Sequence, residues 1–330
     1  MKEKVLVRNE VNKMNKKMML AVMVLSAVVN GVYASGTNNL VGGTDNVATA
    51  NSAAVFGYQN VVNANNALAI GENNTVNGTN SFAGGNNSKA EGRNTFAFGS
   101  HAEALTEYTY AIGSQARTSA YDAIAIGNGA YAGGVSSVVI GRSNAVSGDN
   151  TTVIGANNQN VTAGQSLIMG YNNVTGSEQE QIVVGVNSKT SGQGATVIGT
   201  HGQATGYDTT AIGNNTIADK PNSVALGTNS VTDDAVNQLQ AMVNNTTYVF
   251  AGTDATSVVS VGSKDRAGYG GVKHYVRQIQ NVAAGRVDAS STDAVNGSQL
   301  HAAYDAINTM RTDIDNALDA QEQFNTAVHN

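Results

Sequence analysis

The segment Asp122-Ala123-Ile124-Ala125-Ile126-Gly127 decides the fold, because versions of it recur along the chain at a nearly constant spacing. Thr95-Phe96-Ala97-Phe98-Gly99 and Ser137-Val138-Val139-Ile140-Gly141 are two other copies. A fixed period is the sequence signature of a repeat architecture. The glycines that end the copies lie fourteen residues apart, except for two steps of fifteen, and they are Gly43, Gly57, Gly71, Gly85, Gly99, Gly113, Gly127, Gly141, Gly155, Gly170, Gly185, Gly199, Gly213 and Gly227.

Each copy has the pattern of a short strand with two apolar faces. The residue before the glycine is usually large and apolar, such as Phe56 or Ile154, and the one before that is small or branched, such as Val55 or Val153. Neighbours in a strand point to opposite faces, and strands that are apolar on both faces are typical of covered parallel sheets. The pattern therefore predicts a solenoid of parallel β-coils.

A weaker second half follows about seven residues after each strand, as in Ala145-Val146-Ser147-Gly148. The Asn, Ser, Thr and Gly residues between the halves favour turns. The extra residues of the two longer steps lie near Gln159 and near Glu178–Gln181, in such turns. Two half-turns of seven residues are expected to make one coil, with length variation confined to the turns.

A coil this short encloses little, so its interior cannot bury both apolar faces. We expect the second face to be covered by other copies of the chain, since closed homo-oligomers are the usual solution. Thirteen steps from Gly43 to Gly227, at about 4.8 Å each, predict a rod of roughly 60 Å. The alternative, a monomeric β-helix with a wider core, would need longer coils.

The first 34 residues have the features of a signal peptide. Lys16 and Lys17 precede the apolar run Met18–Val29, and Val32-Tyr33-Ala34 fits a cleavage site before Ser35. The alternative is a buried N-terminal helix. The chain has no Cys, which excludes disulfides and thiolate metal sites, and its net charge of −6 argues against a nucleic-acid partner.

Beyond Gly227 the repeat stops. Asp233–Val243 is predicted to be a short amphipathic helix with Val236, Leu239 and Val243 on one side, within a helical insertion over 231–256. Ser257–Gly262 resembles one more repeat strand, and Lys264–Gly271 has the composition of a loop.

From Leu300 onward the apolar residues follow a heptad pattern, which predicts the start of a coiled-coil stalk over 301–330. A lone amphipathic helix packed on a globular domain is the alternative interpretation. The positions of the seam are Leu300, Ala303, Ile307, Met310, Ile314, Ala317, Gln321, Phe324 and Val328.

Three segments resemble the YadA-like family of trimeric autotransporter adhesins. Asn222-Ser223-Val224-Ala225-Leu226-Gly227 is similar to the head repeat of that family. Residues 277–285, Arg277-Gln278-Ile279-Gln280-Asn281-Val282-Ala283-Ala284-Gly285, and 292–300, Thr292-Asp293-Ala294-Val295-Asn296-Gly297-Ser298-Gln299-Leu300, are similar to its neck.

The resemblance implies an all-β, left-handed parallel β-roll head over 35–230, three such rolls side by side, a neck over 257–300 and an α-helical trimeric coiled-coil stalk. The leader predicts export through the inner membrane. The resemblance implies a place at the cell surface and an outer-membrane anchor that would lie beyond Asn330; the alternative is a protein that is not self-anchored. The neck residues expected to hold the homotrimer together are Arg277, Gln278, Ile279, Asn281, Val282, Asp293, Ala294, Val295, Asn296 and Leu300, and the stalk seam includes Ile307, Met310, Ile314 and Phe324.

The function implied by the resemblance is adhesion, with a role in virulence: binding to extracellular-matrix proteins or host-cell receptors, or cell-to-cell aggregation. The alternative is a β-solenoid enzyme that degrades polysaccharides, which would need paired carboxylates across a cleft. The acids of the repeat are scattered singly, and Glu178 and Glu180 share one turn. The five His residues lack metal-ligand spacing, so we expect no catalytic residues, no cofactor and no metal.

Overall fold

The computed structural model describes residue 31, residues 33–268 and residues 271–329, with the side chains of 265–268, 271–273 and 329 left out. Two compact units divide the chain. The first contains the chain up to Asp233 together with Val258–Tyr275, and the second contains Asp234–Ser257 and the chain from Val276 onward. The apolar run of the predicted leader lies outside the described residues, whereas Tyr33–Ala34 pairs with Val47–Ala48.

The first unit is a β-solenoid, as the glycine repeat predicts, and its largest sheet has fifteen strands in chain order, parallel throughout. The strands are Leu40–Thr44, Ala54–Tyr58, Leu68–Glu72, Phe82–Asn86, Phe96–Ser100, Tyr110–Ile112, Ile124–Ile126, Val138–Ile140, Thr152–Ala156, Leu167–Tyr171, Ile182–Val186, Thr196–Thr200, Thr210–Ile212, Val224–Leu226 and Val259–Ser260.

The weaker halves of the coils form short strands in two smaller parallel sheets. Nine strands make one sheet: Tyr33–Ala34, Val47–Ala48, Val61–Val62, Thr75–Val76, Lys89–Ala90, Glu103–Ala104, Arg117–Thr118, Tyr131–Ala132 and Ala145–Val146. Three make the other: Lys189–Thr190, Gln203–Ala204 and Ile217–Ala218.

The pairing register follows the glycines, including both fifteen-residue steps. Gly155 pairs with Gly170, and Gly170 with Gly185, so each longer coil keeps its strands aligned and places its extra residue in a turn. Val146 forms a bridge with Val161, fifteen residues later, so the first extra residue lies before Val161. This agrees with the position near Gln159 that the sequence predicts.

Left-handed backbone conformations recur every seven residues and make the turns. In one stretch, Asn66, Asn73, Asn80, Asn87 and Asn94 all have φ between 55° and 58°. Asn tolerates this conformation better than most residues, because its short polar side chain bonds locally. The regular spacing confirms the prediction of two half-turns per coil.

Four inward positions recur in each coil, and in the coil between Gly57 and Gly71 a fifth side chain joins them. There Asn60, Val62, Ala67 and Ala69 are at most 2% exposed, and Ala64 is 5% exposed. Across the solenoid these positions hold mainly Ala, Val, Ser, Thr and Asn, with Ile168 and Gln181 among the largest fully buried side chains. The interior is therefore narrow, as the coil length predicts.

The buried amides form a ladder along the interior. The amide nitrogen of Asn60 donates to the carbonyl of Gly71 at 2.8 Å and to the amide oxygen of Asn46 at 3.1 Å. Asn74 repeats these bonds with Gly85 and with Asn60. Because a buried polar group without a partner is costly, the ladder is what makes Asn acceptable in this interior.

The insertion is not helical, so the prediction for Asp233–Val243 is wrong. Gln240–Val243 pairs antiparallel with Thr246–Val249, and the turn between them is Asn244-Asn245 with φ of 47° and 61°. Two left-handed residues are what a two-residue hairpin turn requires. The Asn244-Asn245 turn therefore indicates the observed hairpin, whereas the helical spacing of Val236, Leu239 and Val243 does not.

The prediction of a loop over Lys264–Gly271 is also wrong in part. Ser263–Gly268 and Gly271–Tyr275 form an antiparallel hairpin. Residues 269 and 270 lie outside the described part. The strand-like character of Ser257–Gly262 is confirmed, since Val259–Ser260 pairs with Val224–Ala225 at the end of the large sheet.

A single long helix, Gly297–His329, ends the described chain. It has no tertiary partner among the described residues of the second unit that would bury its apolar positions, and every seam residue with a described side chain is exposed. The handedness of the solenoid stays a prediction from the resemblance.

We predict that Gly99→Ala destabilises the solenoid by about 1–3 kcal/mol or more, because the conformation is strained for any residue with a Cβ. Gly99 has φ of 143°, and a Cβ there would lie 2.3 Å from the carbonyl oxygen of Gly113. The matched control is Gly129→Asn. Gly129 has φ of 64° and the nearest atom to its Cβ lies 3.7 Å away, so Asn is tolerated. Thermal unfolding followed by circular dichroism measures both; equal melting temperatures would contradict the steric argument.

Candidate assembly surfaces and the exposed face of the head

The residues that precede the repeat glycines form an apolar column on the outside of the large sheet. Ile70 is 45% exposed, Phe98 50% and Leu226 44%, whereas the residues just before them are fully buried. This confirms the predicted division of each strand into an inward and an outward apolar position. A continuous exposed apolar surface of this kind marks an interaction site.

An aromatic cluster of Phe98 from this column with Phe82 and Phe96 beside it packs over a glycine. The Phe82 and Phe96 rings are 4.7 Å apart, and Phe98 lies 6.2 Å from Phe82. Gly84 occupies the outward position between them, and a Cβ there would lie 2.6 Å from Phe82 and 2.9 Å from Phe98. The missing side chain makes room for the rings.

The repeat glycines themselves lie where stacked coils approach most closely. Thirteen of the fourteen have positive φ, from 95° at Gly227 to 144° at Gly199. For Gly185, which is not among them, an added Cβ would still lie 1.9 Å from the carbonyl oxygen of Gly199. Their role is to let neighbouring backbones meet.

In the second unit, side-chain hydrogen bonds join different parts of the segment that precedes the helix. Arg286 forms two bonds with the Asp293 carboxylate, at 2.8 Å from Nε and 3.0 Å from Nη2. The side chain of Gln299 accepts from the backbone N–H of Gly285 at 3.0 Å and donates to its carbonyl at 2.6 Å. These contacts fold the predicted neck back onto the first turn of the helix.

Of the predicted neck residues, Asp293 and Asn296 contribute side chains to these contacts, and Val282, Ala294 and Leu300 contribute backbone atoms. Asn296 donates to the carbonyl of Val282 at 3.1 Å, and its own carbonyl accepts from the N–H of Leu300 at 3.3 Å. Gly285 packs closely against the backbone of Ala294, because a Cβ added to Gly285 would lie 2.4 Å from the carbonyl oxygen of Ala294.

The remaining predicted neck residues lie on irregular backbone. Ile279 and Val295 are exposed, Gln278 accepts a bond from Gln280, and Asn281 has φ of 62°. The structure does not bring Gln278 or Ile279 into the network around Asp293. The backbone at Arg277 likewise belongs to neither a helix nor a strand.

Arg286, Gly285 and Gln299 are central to the neck contacts but were not singled out from the sequence. For Arg286, the signal in the sequence is a basic residue seven positions before the acidic Asp293. Gln299 follows Asn296 by three residues, and the carbonyl of its side chain accepts from the Asn296 N–H at 3.2 Å, which is a helix-capping arrangement.

The predicted seam residues share one side of the C-terminal helix. Ile307, Met310, Ile314 and Phe324 are between 54% and 64% exposed, and Leu318, which the heptad assignment leaves out, is 63% exposed. Such a stripe on an isolated helix needs partner helices to cover it.

The turns of the head carry polar columns bonded from coil to coil. Asn63 donates to Asn77 at 3.0 Å, and Asn77 to Glu91 at 2.7 Å. A second column joins Asn66, Asn80 and Asn94. Side chains tied together in this way present a regular, ordered polar surface.

Ionic ladders occupy the middle coils. Glu103 lies between Lys89 and Arg117, at 3.4 Å from each. The Lys89 and Arg117 side chains are about half exposed and the Glu103 side chain is 29% exposed, so each pair contributes little to stability on its own.

Within the described residues, no group of three or more His, Cys, Asp and Glu side chains could hold a metal ion. Over the same part of the chain, none of the helices is both long and apolar enough for a membrane span.

Comparison with known families agrees with this architecture. The model of the YadA head domain repeat matches residues 63–88, 77–102, 107–130, 132–158, 182–201 and 204–230. The model of the coiled stalk of trimeric autotransporter adhesins matches residues 278–323. Together they match more than half of the chain, which therefore belongs to the trimeric autotransporter adhesins with YadA head repeats and a YadA stalk.

Individual relatives match over shorter stretches. The autotransporter adhesin BtaE of Brucella suis is 46% identical over 68 residues, which is 21% of this chain and 8% of that protein. The C-terminal YadA-like domain of BPSL2063 from Burkholderia pseudomallei is 39% identical, covers 40% of this chain and 51% of that one, and has a TM-score of 0.28. The collagen-binding domain of the Yersinia adhesin YadA is 23% identical, covers 57% and 86%, and has a TM-score of 0.37.

We predict that the Arg286–Asp293 contact stabilises the neck at neutral pH and is lost in acid. The hydrogen bond from the Arg286 side chain lowers the pKa of Asp293, and the Arg286 backbone N–H lowers it further. With an unfolded pKa of about 3.9, the stabilisation is complete above that value and disappears as pH falls through the folded pKa.

The measurement is thermal unfolding of the wild type and of Asp293→Asn at several pH values. Asp293→Asn is expected to melt earlier at pH 7, and the difference is expected to vanish in strong acid. Asp313→Asn, a change at an exposed helix carboxylate, serves as the control. A difference between Asp293→Asn and the wild type that does not depend on pH would exclude the ionic contribution.

Proposed function

We propose that this chain assembles into a homotrimer on the bacterial surface and adheres through its head to extracellular-matrix proteins, to host-cell receptors or to other bacteria. The family is one of trimeric, surface-located adhesins, which supports the general role. The observation that carries the proposal is the combination of uncovered apolar assembly surfaces with a repetitive polar outer face on the same chain.

Assembly is supported by surfaces that a single chain leaves open. The outward apolar column runs along the whole head, and the helix carries its own exposed stripe. Copies of the same chain are the occupants we propose for both. Closed symmetry repeats the same contact around the ring, so that every copy of the surface is covered, and the family is trimeric.

The neck residues are proposed to hold the subunits in register between head and stalk. Asp293 and Asn296 fix the local path of the chain, while Ile279, Val295 and Leu300 remain exposed and available to a neighbouring subunit. Export by the leader and an anchor in the outer membrane belong to the same proposal. The leader is supported by Lys16, Lys17 and the apolar run Met18–Val29, and the anchor by the family resemblance.

Adhesion is supported by the columns of bonded Asn side chains. They present hydrogen-bonding groups at a constant spacing over many coils, and their side chains are held in place before a ligand arrives. Weak individual contacts of this kind gain strength when several heads bind together. Nothing observed in the described residues favours the polysaccharide-degrading alternative.

We predict that Ile314→Asp in the full chain gives a monomer, because a carboxylate at the seam would be buried among the helices. Sedimentation is expected to show a trimer for the wild type and for the control Asp313→Asn. On immobilised matrix proteins, with collagen as one member of the panel, the monomer is expected to bind about 10²–10⁴-fold more weakly.

A monomeric wild type would contradict the packing argument. A trimer that adheres to no matrix protein, no host cell and no other bacterium, and that cleaves a glycan, would instead overturn the adhesive role.

A further inference from the structure

One aromatic residue of the head has a backbone conformation that its chemistry does not favour. Tyr108 has φ of 60°, at the ninth position after a repeat glycine. The equivalent positions of the neighbouring coils hold Asn80, Asn94 and Asp122, all left-handed as well. A bulky residue in this region is unusual, and strained residues of this kind persist where function requires them.

Tyr108 is the centre of a compact cluster. The Arg93 guanidinium lies 5.4 Å from the centroid of its ring, and Arg93 Nη2 donates to its hydroxyl at 2.9 Å. The Tyr121 ring is 5.3 Å away at 72°, which is an edge-to-face contact. Glu107 completes the cluster through an ion pair with Arg93 at 3.2 Å.

These contacts fix the charge and orientation of each group. The bond to Glu107 raises the pKa of Arg93, so the guanidinium stays charged. Partial burial raises the pKa of Tyr121, so its hydroxyl keeps its proton and remains a donor. Tyr121 is 44% exposed and presents an ordered ring to solvent, with the half-buried Tyr108 beside it.

The size and charge of the cluster select the kind of ligand. Four side chains are far fewer than the roughly 20–30 residues that each partner contributes to a stable protein interface. Arg93 and Glu107 neutralise one another, so the cluster does not attract a polyanion. Two aromatic rings with both donors and a carboxylate acceptor suit a small ligand that has an apolar face and an edge of hydroxyls.

We propose that Arg93, Glu107, Tyr108 and Tyr121 form a binding site for a neutral sugar unit at the end of a surface glycan. The apolar face of the sugar ring packs on Tyr121, and its hydroxyls bond with Glu107 and with the donors of Arg93 and Tyr108. The proposal rests on the adhesive function and gives it a ligand class. Three copies in a trimer supply the valency that a weak site needs.

The test uses the full chain on an array of neutral and anionic oligosaccharides. Tyr108→Asn restores the residue type of the neighbouring coils, so its melting temperature is expected to equal or exceed that of the wild type. Tyr121→Ala removes the exposed ring. Both are expected to lose about tenfold or more of the binding to neutral glycans.

Tyr207→Ala is the matched control. Tyr207 lies at the same coil position as Tyr121, eight residues after a repeat glycine, and is 53% exposed. Within the described residues it has no ring or cation contact. Its variant is expected to bind neutral glycans as the wild type does.

Several results would overturn the sugar site: unchanged neutral-glycan binding by Tyr108→Asn and Tyr121→Ala, binding of anionic glycans alone, or no glycan binding. Immobilised matrix proteins with and without enzymatic deglycosylation separate this from the adhesive function. Full adhesion to deglycosylated protein, together with no glycan binding, leaves adhesion intact and removes the sugar site. Adhesion to none of the surfaces removes the adhesive function itself.

Discussion

The narrow interior of a fourteen-residue coil is the constraint on which the rest of the molecule depends. Four inward positions recur in every coil, and from Gly57 to Gly71 the buried side chains are one Asn, one Val and three Ala. Most of the larger apolar residues, such as Ile70 and Phe98, therefore lie outside, in a column that the chain itself leaves exposed. The same limit that makes the coil regular also makes the protein depend on association.

The interior is also polar to a degree that few cores accept, and stacking explains why. An amide at one level bonds to the amide and to backbone carbonyls of adjacent levels, as Asn60 does with Asn46 and Gly71. Each coil thus satisfies the polar groups of its neighbours. A coil removed from the stack would lose these partners, so stability arises from the repetition and not from any one coil.

Much of the head could be predicted from the sequence, because the conformation of each strand and turn there depends on residues that are close together in the chain. The glycine spacing predicted the register, and the alternation around Val55 and Phe56 predicted which residue lies inside. The hairpin at Gln240–Val249 was missed because Val236, Leu239 and Val243 fit a helical period, while the Asn244-Asn245 turn was a two-residue signal against it. Handedness could not follow from the period, since a left-handed and a right-handed coil of fourteen residues have the same spacing.

The neck was predictable only through resemblance, and its chemistry shows the reason. Between Val276 and the start of the helix at Gly297, the backbone is paired neither by a strand ladder nor by helical hydrogen bonds. Side chains bond the backbone there instead, since Gln299 bonds both backbone groups of Gly285 and Asn296 bonds the carbonyl of Val282, while Arg286 holds Asp293. Such pairs join residues seven to fourteen positions apart without any period, so no pattern in the sequence marks them. They bind polar groups within one chain and leave Ile279, Val287 and Val295 exposed. An exposed apolar side chain gains stability when a partner covers it, which is why these three positions are consistent with the proposed contact between subunits.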